Sequence, residues 1–368
     1  MEQWKEYQLK DVTTILGDGL HGTPEYDENG TVFFINGNNL VDGKIEIKDS
    51  TKRVSEEEAN KYRKNLTQRT IFVSINGTIG NVAKYKGEAC ILGKSACYFN
   101  VAENFDLNFI YYVVASQQFK DAITRLATGT TIKNVSLETM RNYSFMAPSI
   151  NEQKRISSIL SSLDSKIELN RRINDNLEQQ AQALFKSWFI ENAIYSGDKI
   201  ADYFMPIRGK NLLTSEATGG NVPVVAGGLN PSAYHNTANT DAPVITISAS
   251  GANAGFVNLW GIPVWSADSS YIDSSVTPYV YFWYNLLKYK QKNIFEAQTG
   301  SAQPHIYPKH IGDIEIPNLD LSQIQLYNNV VSTYYHKIDE NNTENCRLAT
   351  LRDTLLPKLM AGNISLDY

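Results

Sequence analysis

A chain of 368 residues, 42% apolar and 20% charged, has room for two or three domains, each with its own core. No run reaches the ~20 apolar residues of a membrane span, and the opening MEQWKEYQLK is neither signal nor transit peptide, so a cytoplasmic location away from membranes is expected. The net charge of -5 argues against the isolated chain gripping nucleic acid by bulk electrostatics, since residues 1–150 carry 17 basic against 18 acidic residues and 192–320 carry 7 against 10.

Residues 1–148 read as a mixed α/β globe. An amphipathic start (Tyr7, Leu9, Val12, Ile15, Leu16) leads into the glycine-rich GDGLHGTPEYDENG, then a strand over Val32–Ile35 that ends in an Asn/Gly turn. A charged helix that Ser55 could cap follows. TIFVSINGTIGNVAKYKG predicts a hairpin turning at Asn76-Gly77, and ILGKSACYFNV predicts another strand. Helical spacing runs over Asp106–Leu126 (Phe109, Tyr112, Val113, Phe119, Ile123). A loop, a short helix and a last strand close the globe before Pro148.

The segment 149–191 opens on helix-start chemistry, Ser149 with Glu152 three residues on. Apolar residues then recur three or four apart at Ile156, Ile159, Leu163, Ile167, Ile173, Leu177, Leu184 and Trp188, without Gly or Pro. A helix of that length, about 60 Å, needs another helix to cover its apolar stripe.

Residues 192–318 repeat the plan of the first globe. Lys199–Phe204 stands where Leu9–Val12 stood, and PVVAGGLNPSAYHN reads as a strand and a polar glycine-rich turn. APVITISASGANAGFVNLWG matches the earlier hairpin with Gly251 for Gly77, and Thr299-Gly300 matches Thr128-Gly129. The segment 319–368 reads as a second long helix and a C-terminal tail, the helix with seam positions Val330, Ile338, Leu348 and Leu355, opening on Asp320 and Gln323 and stopping at Gly362. Lys166–Asn170 and Lys337–Asn341, Leu177 and Leu348, and Leu184 and Leu355 all match at an offset of 171. Both helices turn polar near the middle, at Asn170 and Asn174 and at Asn341, Asn342 and Asn345, where buried amides can fix register. The order globe, helix, globe, helix is an internal repeat. Antiparallel helices would place the globes at opposite ends of a rod about an approximate two-fold axis, an arrangement suited to two half-sites at a set spacing.

Catalytic motifs fail on inspection. GEACILGKSA has five residues between Gly87 and Gly93 where a phosphate loop needs four, and a strand follows instead of a helix. Asp42, Glu46 and Lys48 resemble a nuclease cluster no more than a half-exposed strand, and Asn230-Pro231-Ser232 lacks the second Pro and the aromatic of an amino-methyltransferase motif. Cys90, Cys97 and Cys346 have no metal-site spacing and read as reduced packing residues; no metal is expected. Nothing in the chain reads as an enzyme. What remains is polar loops on both globes: Asn36, Asn38, Asn39, Asn76, Thr78, Thr130, Lys133 and Asn134 on the first, and Asn211, Asn230, Ser248, Ser250, Asn253, Gln303 and His305 on the second. Asn and Gln can read adenine bidentately and Lys guanine, although the same residue types also dominate ordinary turns.

Over nearly its whole length the chain resembles the specificity subunits of type I restriction–modification systems. The resemblance rests on TGTTIKNVS…MAPSINEQKRISSILSSLDSKIELNRRINDNLEQQAQALFKSWF, on TGSAQPHIYPKHIGDIEIP and on LRDTLLPKLMAGNI. Gly129, Pro148, Glu152 and Gln153 fit the family pattern; Gly300, Pro317 and Gln323 repeat it, with Ser322 in place of the Glu. The resemblance implies an α+β fold: two mixed α/β target-recognition domains separated by two long antiparallel helices forming a coiled-coil stalk, with a pseudo-two-fold repeat. It implies double-stranded DNA with a bipartite site as ligand, two methyltransferase subunits as partners, and restriction subunits beside them. S-adenosylmethionine, ATP and Mg would sit on those partners, with no cofactor on this chain. An interaction scaffold with a coiled coil, two globular arms and no DNA role is the alternative left open.

Overall fold

The computed structural model describes residues 4–129, 132–300 and 303–364. It divides into two compact units, one of Met1–Ile167 with Arg347–Tyr368 and the other of Glu168–Cys346. Each unit therefore takes in part of both long helices, where the sequence reading set 149–191 and 319–368 apart as separate segments.

The first unit is built on a four-stranded sheet in the order Thr13–Asp18, Ala96–Val101, Thr70–Ser74, Val82–Lys84, every neighbour antiparallel. Successive strand residues face opposite ways. Ile71, Val73, Cys97 and Phe99 enter a core with Phe109 and Phe119, while Phe72 and Tyr98 enter a second cluster with Ile35 and Leu40. With both faces covered, Thr70–Ser74 is buried at every position, and an unbroken β-branched and aromatic run suits such a strand. Each fully buried Phe or Ile contributes roughly 1.5–3 kcal/mol. A smaller sheet pairs Val32–Ile35 antiparallel with Arg53–Val54 and parallel with Cys90–Leu92.

Two local expectations are revised. The predicted hairpin forms, but the chain reverses over residues 75–81 instead of at Asn76-Gly77 alone; Ser74 closes the loop by accepting from the Asn81 and Gly80 amides at 2.8 and 2.9 Å. The helical stretch from Asp106 is two helices, Leu107–Ala115 and Gln117–Arg125. Ser116 divides them, its hydroxyl accepting from the Phe119 amide at 3.2 Å. Apolar spacing runs through that break, so periodicity does not show it. Ser55 does cap Glu56–Tyr62.

The second unit repeats the topology. Its sheet runs Ile207–Arg208, Ser269–Ile272, Val244–Ser248, Val257–Trp260, again antiparallel throughout. Its smaller sheet pairs Val222–Val225 antiparallel with Ala233–His235 and parallel with Trp265–Ser266. The helix Val280–Tyr289 lies where Leu107–Ala115 lies in the first unit, and Gln291–Glu296 follows it.

Two helices of 40 residues, Ile150–Phe189 and Leu321–Met360, run unbroken. The Ser149 hydroxyl receives the Glu152 amide at 3.5 Å, and Asp320 receives the Ser322 amide at 2.8 Å. Within the first unit, Ile156 and Leu160 share a core with Leu355 and Leu359, and Asp164 accepts from Arg352 at 2.8 Å and from the Tyr112 hydroxyl at 2.6 Å. Within the second, the helices are likewise antiparallel. Asn170 donates to Glu344 and Asn345 at 2.7 and 3.0 Å, Asn174 to Asn342 at 2.9 Å and Asn341 to Asn174 at 2.8 Å, while the Tyr327 hydroxyl reaches the Ala181 carbonyl at 2.8 Å. Paired in this way, the buried amides of Asn170 and Asn341 meet a demand that any shifted register would leave unmet.

Among the proposed seam residues, Ile156 and Ile167 are buried; Leu163, Leu177, Leu184, Val330, Ile338, Leu348 and Leu355 are half-buried. In the second unit Phe185 and Val331, one residue along from Leu184 and Val330, are fully buried. Each helix faces a globe as well as the other helix, and Phe185 packs on Phe282 and Tyr327. Cys90 and Cys97 are buried and Cys346 is exposed; burial pushes the Cys90 thiol up to about 12. Among the described residues no helix is long and apolar enough to cross a membrane, and no group of three or more His, Cys, Asp or Glu is placed to hold a metal ion.

Candidate nucleic-acid interface

In each unit the hairpin loop is clasped by a second loop from far along the chain. In the first, the Val135 amide donates to the Ile75 carbonyl at 2.8 Å and the Gly77 amide to Lys133 at 3.2 Å. Asn76 and Asn134 face each other as an isolated bridge, with Asn76 Nδ2 3.3 Å from Asn134 Oδ1. The second loop closes on itself through Thr128 and Asn134, which exchange amide–carbonyl bonds of 2.9 and 2.7 Å.

The second unit makes the same clasp with different side chains. Ile306 donates to Ala249 at 2.9 Å, Gly251 to Pro304 at 3.0 Å, and Thr299 and His305 exchange bonds of 2.9 and 2.8 Å. Ser250 and His305 form the bridge that Asn76 and Asn134 form in the first unit. His305 Nδ1 lies 2.7 Å from the Gln303 carbonyl. A carbonyl only accepts, so Nδ1 carries the proton.

Glycine is required at the same point of both loops. Gly129 and Gly300 have φ of 101° and 93°. A Cβ at these residues would lie 2.3 Å from the Ile132 carbonyl oxygen and 2.6 Å from that of Gln303. Both the torsion and the close approach exclude a side chain.

The clasp gathers Asn76, Lys133 and Asn134 of the first unit and Ser250, Gln303 and His305 of the second. Thr78, Lys133, Asn134 and Gln303 are exposed; Thr130 lies outside the described residues. Other candidates are structural. Asn39 is buried, and its amide holds the Glu46 carbonyl at 2.9 Å and Thr51 at 3.0 Å. Asn36 accepts from the Ser95 hydroxyl at 2.9 Å, and Ser95 in turn takes the Gly37 amide. Ser248 is 3% exposed and its hydroxyl has no partner among the described residues, so no base edge can reach it. Asn253 donates to the Gly227 carbonyl at 3.4 Å. Asn38, Asn211 and Asn230 are exposed but are not drawn into the clasp.

Sequence reasoning missed several polar side chains at the clasps. A cleft of about 360 Å³ beside Asn76 and Asn134 is also lined by Asp18, His21 and Lys94, with Asp18 2.5 Å from His21 Nε2. In the second unit, Asp268 receives the Ser250 hydroxyl through one oxygen and Arg208 at 2.6 Å through the other. Burial acts to raise the Asp268 pKa, but the Ser250 and Arg208 hydrogen bonds and the charges of Arg208 and His305 outweigh it, and the carboxyl sits below its ordinary value. Asp18 and Arg208 end strands, and His21, Lys94 and Asp268 lie in the turns beside them, where no periodic signal marks them. Donors and acceptors ringed by exposed loops suit the reading of a polar edge.

Residues 1–179 match the family described as the type I restriction modification DNA specificity domain. A putative type I specificity subunit of Mycoplasma genitalium is 28% identical over 315 residues, 80% of this chain and 82% of its own. A type I restriction enzyme specificity subunit of Methanocaldococcus jannaschii is 23% identical, covering 100% of this chain and 94% of its own. The crystal structure of the type I restriction–modification S subunit from M. genitalium has the same fold, with a TM-score of 0.59 at 24% identity over 97% of this chain and 96% of that one. By its domain match over residues 1–179 and by relatives that span 80–100% of it, the chain is similar to the type I restriction–modification specificity subunits.

Proposed function

We propose that the chain is the DNA sequence-specificity subunit of a type I restriction–modification complex, each unit reading one half of a bipartite target through its clasped loops. The observation that carries this reading is the clasp built twice, on sheets of identical order, with unlike side chains at matching places. One fold repeated with different reading groups is what two different half-sites require.

In this reading the two long helices form an antiparallel coiled-coil stalk that sets the half-site spacing. Two methyltransferase subunits, joined by restriction subunits in the cleaving assembly, dock on the chain. Catalysis and its cofactors (S-adenosylmethionine, ATP and Mg) belong to those partners. They also supply part of the phosphate contact, which answers the net charge of -5.

The test is a methylome. A host expresses the methyltransferase from the neighbouring reading frame with and without this chain. A bipartite methylated motif that appears only with the chain is expected. Two soluble, associated proteins that produce no motif would return the chain to a scaffold role.

A further inference from the structure

Strand register identifies one position that is equivalent in the two units and opposite in charge. In the first unit Asp18 pairs with Cys97, and Cys97 with Val73. In the second, Arg208 pairs with Ser270, and Ser270 with Ile247. The flanking backbone confirms the match. The Leu20 amide donates to the Leu92 carbonyl at 2.6 Å, and the Lys210 amide to the Ser266 carbonyl at 2.9 Å. The intervening Gly19 and Gly209 each press on those same carbonyls, where a Cβ would lie 2.2 and 2.5 Å away. Ile75 donates to Ser95 as Ala249 donates to Asp268, at 2.9 and 3.1 Å. Thus the first unit places Asp18, and the second Arg208, at one point beside the clasp.

We propose that Arg208 reads a guanine in the half-site of the second unit, with Asp268 as its positioning residue. This rests on the specificity reading above. The Arg208 side chain is 42% exposed and is held by a single carboxylate, at 2.6 Å. That carboxylate is fixed in turn by Ser250, whose own place is set by the clasp. A guanidinium has five N–H donors in a rigid plane, and one bond to Asp268 fixes its plane without using up the fork. Two parallel N–H groups match guanine O6 and N7, which no other base presents as a pair of acceptors. The first unit has an acceptor, Asp18, at the equivalent place and cannot read guanine there by the same contact.

The experiment uses the full chain assembled with its methyltransferase, assayed on a duplex carrying the motif and on duplexes with each motif base pair replaced. The wild-type complex should show a guanine in one half-site whose replacement lowers methylation roughly 5- to 150-fold. Arg208→Ala should lower methylation of the intact motif by a similar factor and abolish the preference at that position alone. Arg208→Lys, which keeps the charge but not the fork, should fail to restore the preference. Asp268→Asn should weaken it at the same position, leaving the other half-site unchanged. Preference intact in Arg208→Lys and Arg208→Ala, or a uniform loss across all duplexes as for a phosphate contact, overturns the proposal. A wild-type chain that imposes no motif overturns the specificity reading, and this proposal with it; a motif indifferent to Arg208 sinks this proposal alone.

Discussion

Asp339 shows how closely single side chains are fitted in the second unit. Its carboxyl lies against Gly261, where a Cβ would come within 2.0 Å of it, and burial raises its pKa above the ordinary value against a smaller opposing effect of His336. The folded chain therefore keeps a proton that the unfolded chain releases above about pH 3.9. Stability falls as pH rises from there through the raised folded value, and stays reduced above it. Asp339→Asn should melt at a higher temperature than wild type at pH 7 and lose that advantage near pH 3. Equal melting of the two proteins at pH 7 would argue that the carboxylate is compensated in place. No sequence pattern marks Asp339, because its burial comes from the loop after Val257–Trp260 and not from its own helix.

At the scale of elements, the clasps depend on glycine and the helices on aromatic packing. Gly300→Ala must abandon a φ of 93° and the approach to Gln303, so a loss of more than about 1 kcal/mol is expected. Base preference in one half-site should decline while the other is kept; loss in both halves would contradict independent clasps. Phe185→Ala empties a site shared with Phe282 and Tyr327 and should cost about 3–5 kcal/mol in urea unfolding. The helices and hairpins were legible in the sequence because repeating apolar spacing survives without tertiary information. The clasps were legible only as scattered polar loops. Ile75 and Val135 are joined by one backbone bond across 60 residues of chain, and no local pattern encodes it. Arg208 was invisible for a related reason: it ends a strand of two residues, and only its register against Ser270 shows where it stands.

For the molecule as a whole, the proposed ruler gives a direct prediction. Matched insertions of four residues, one beside Asn170 and one beside Asn345, should lengthen the helical pair by about 6 Å and widen the gap between methylated half-sites. An unchanged gap in an assembled, active complex would separate the helices from the spacing. The repeat at an offset of 171 residues was readable directly from the chain. The division into units was not, since it depends on which core each half of a helix joins. That division has a consequence for biogenesis. The second unit, Glu168–Cys346, is one continuous piece, whereas the first is completed only by the segment from Arg347 on, whose Leu355 and Leu359 close its core. On the ribosome, the unit begun first is therefore the unit finished last. A chain truncated after Cys346 should present a protease-resistant second unit beside a still-cleavable first one, with the Ile156 and Leu160 surface left uncovered.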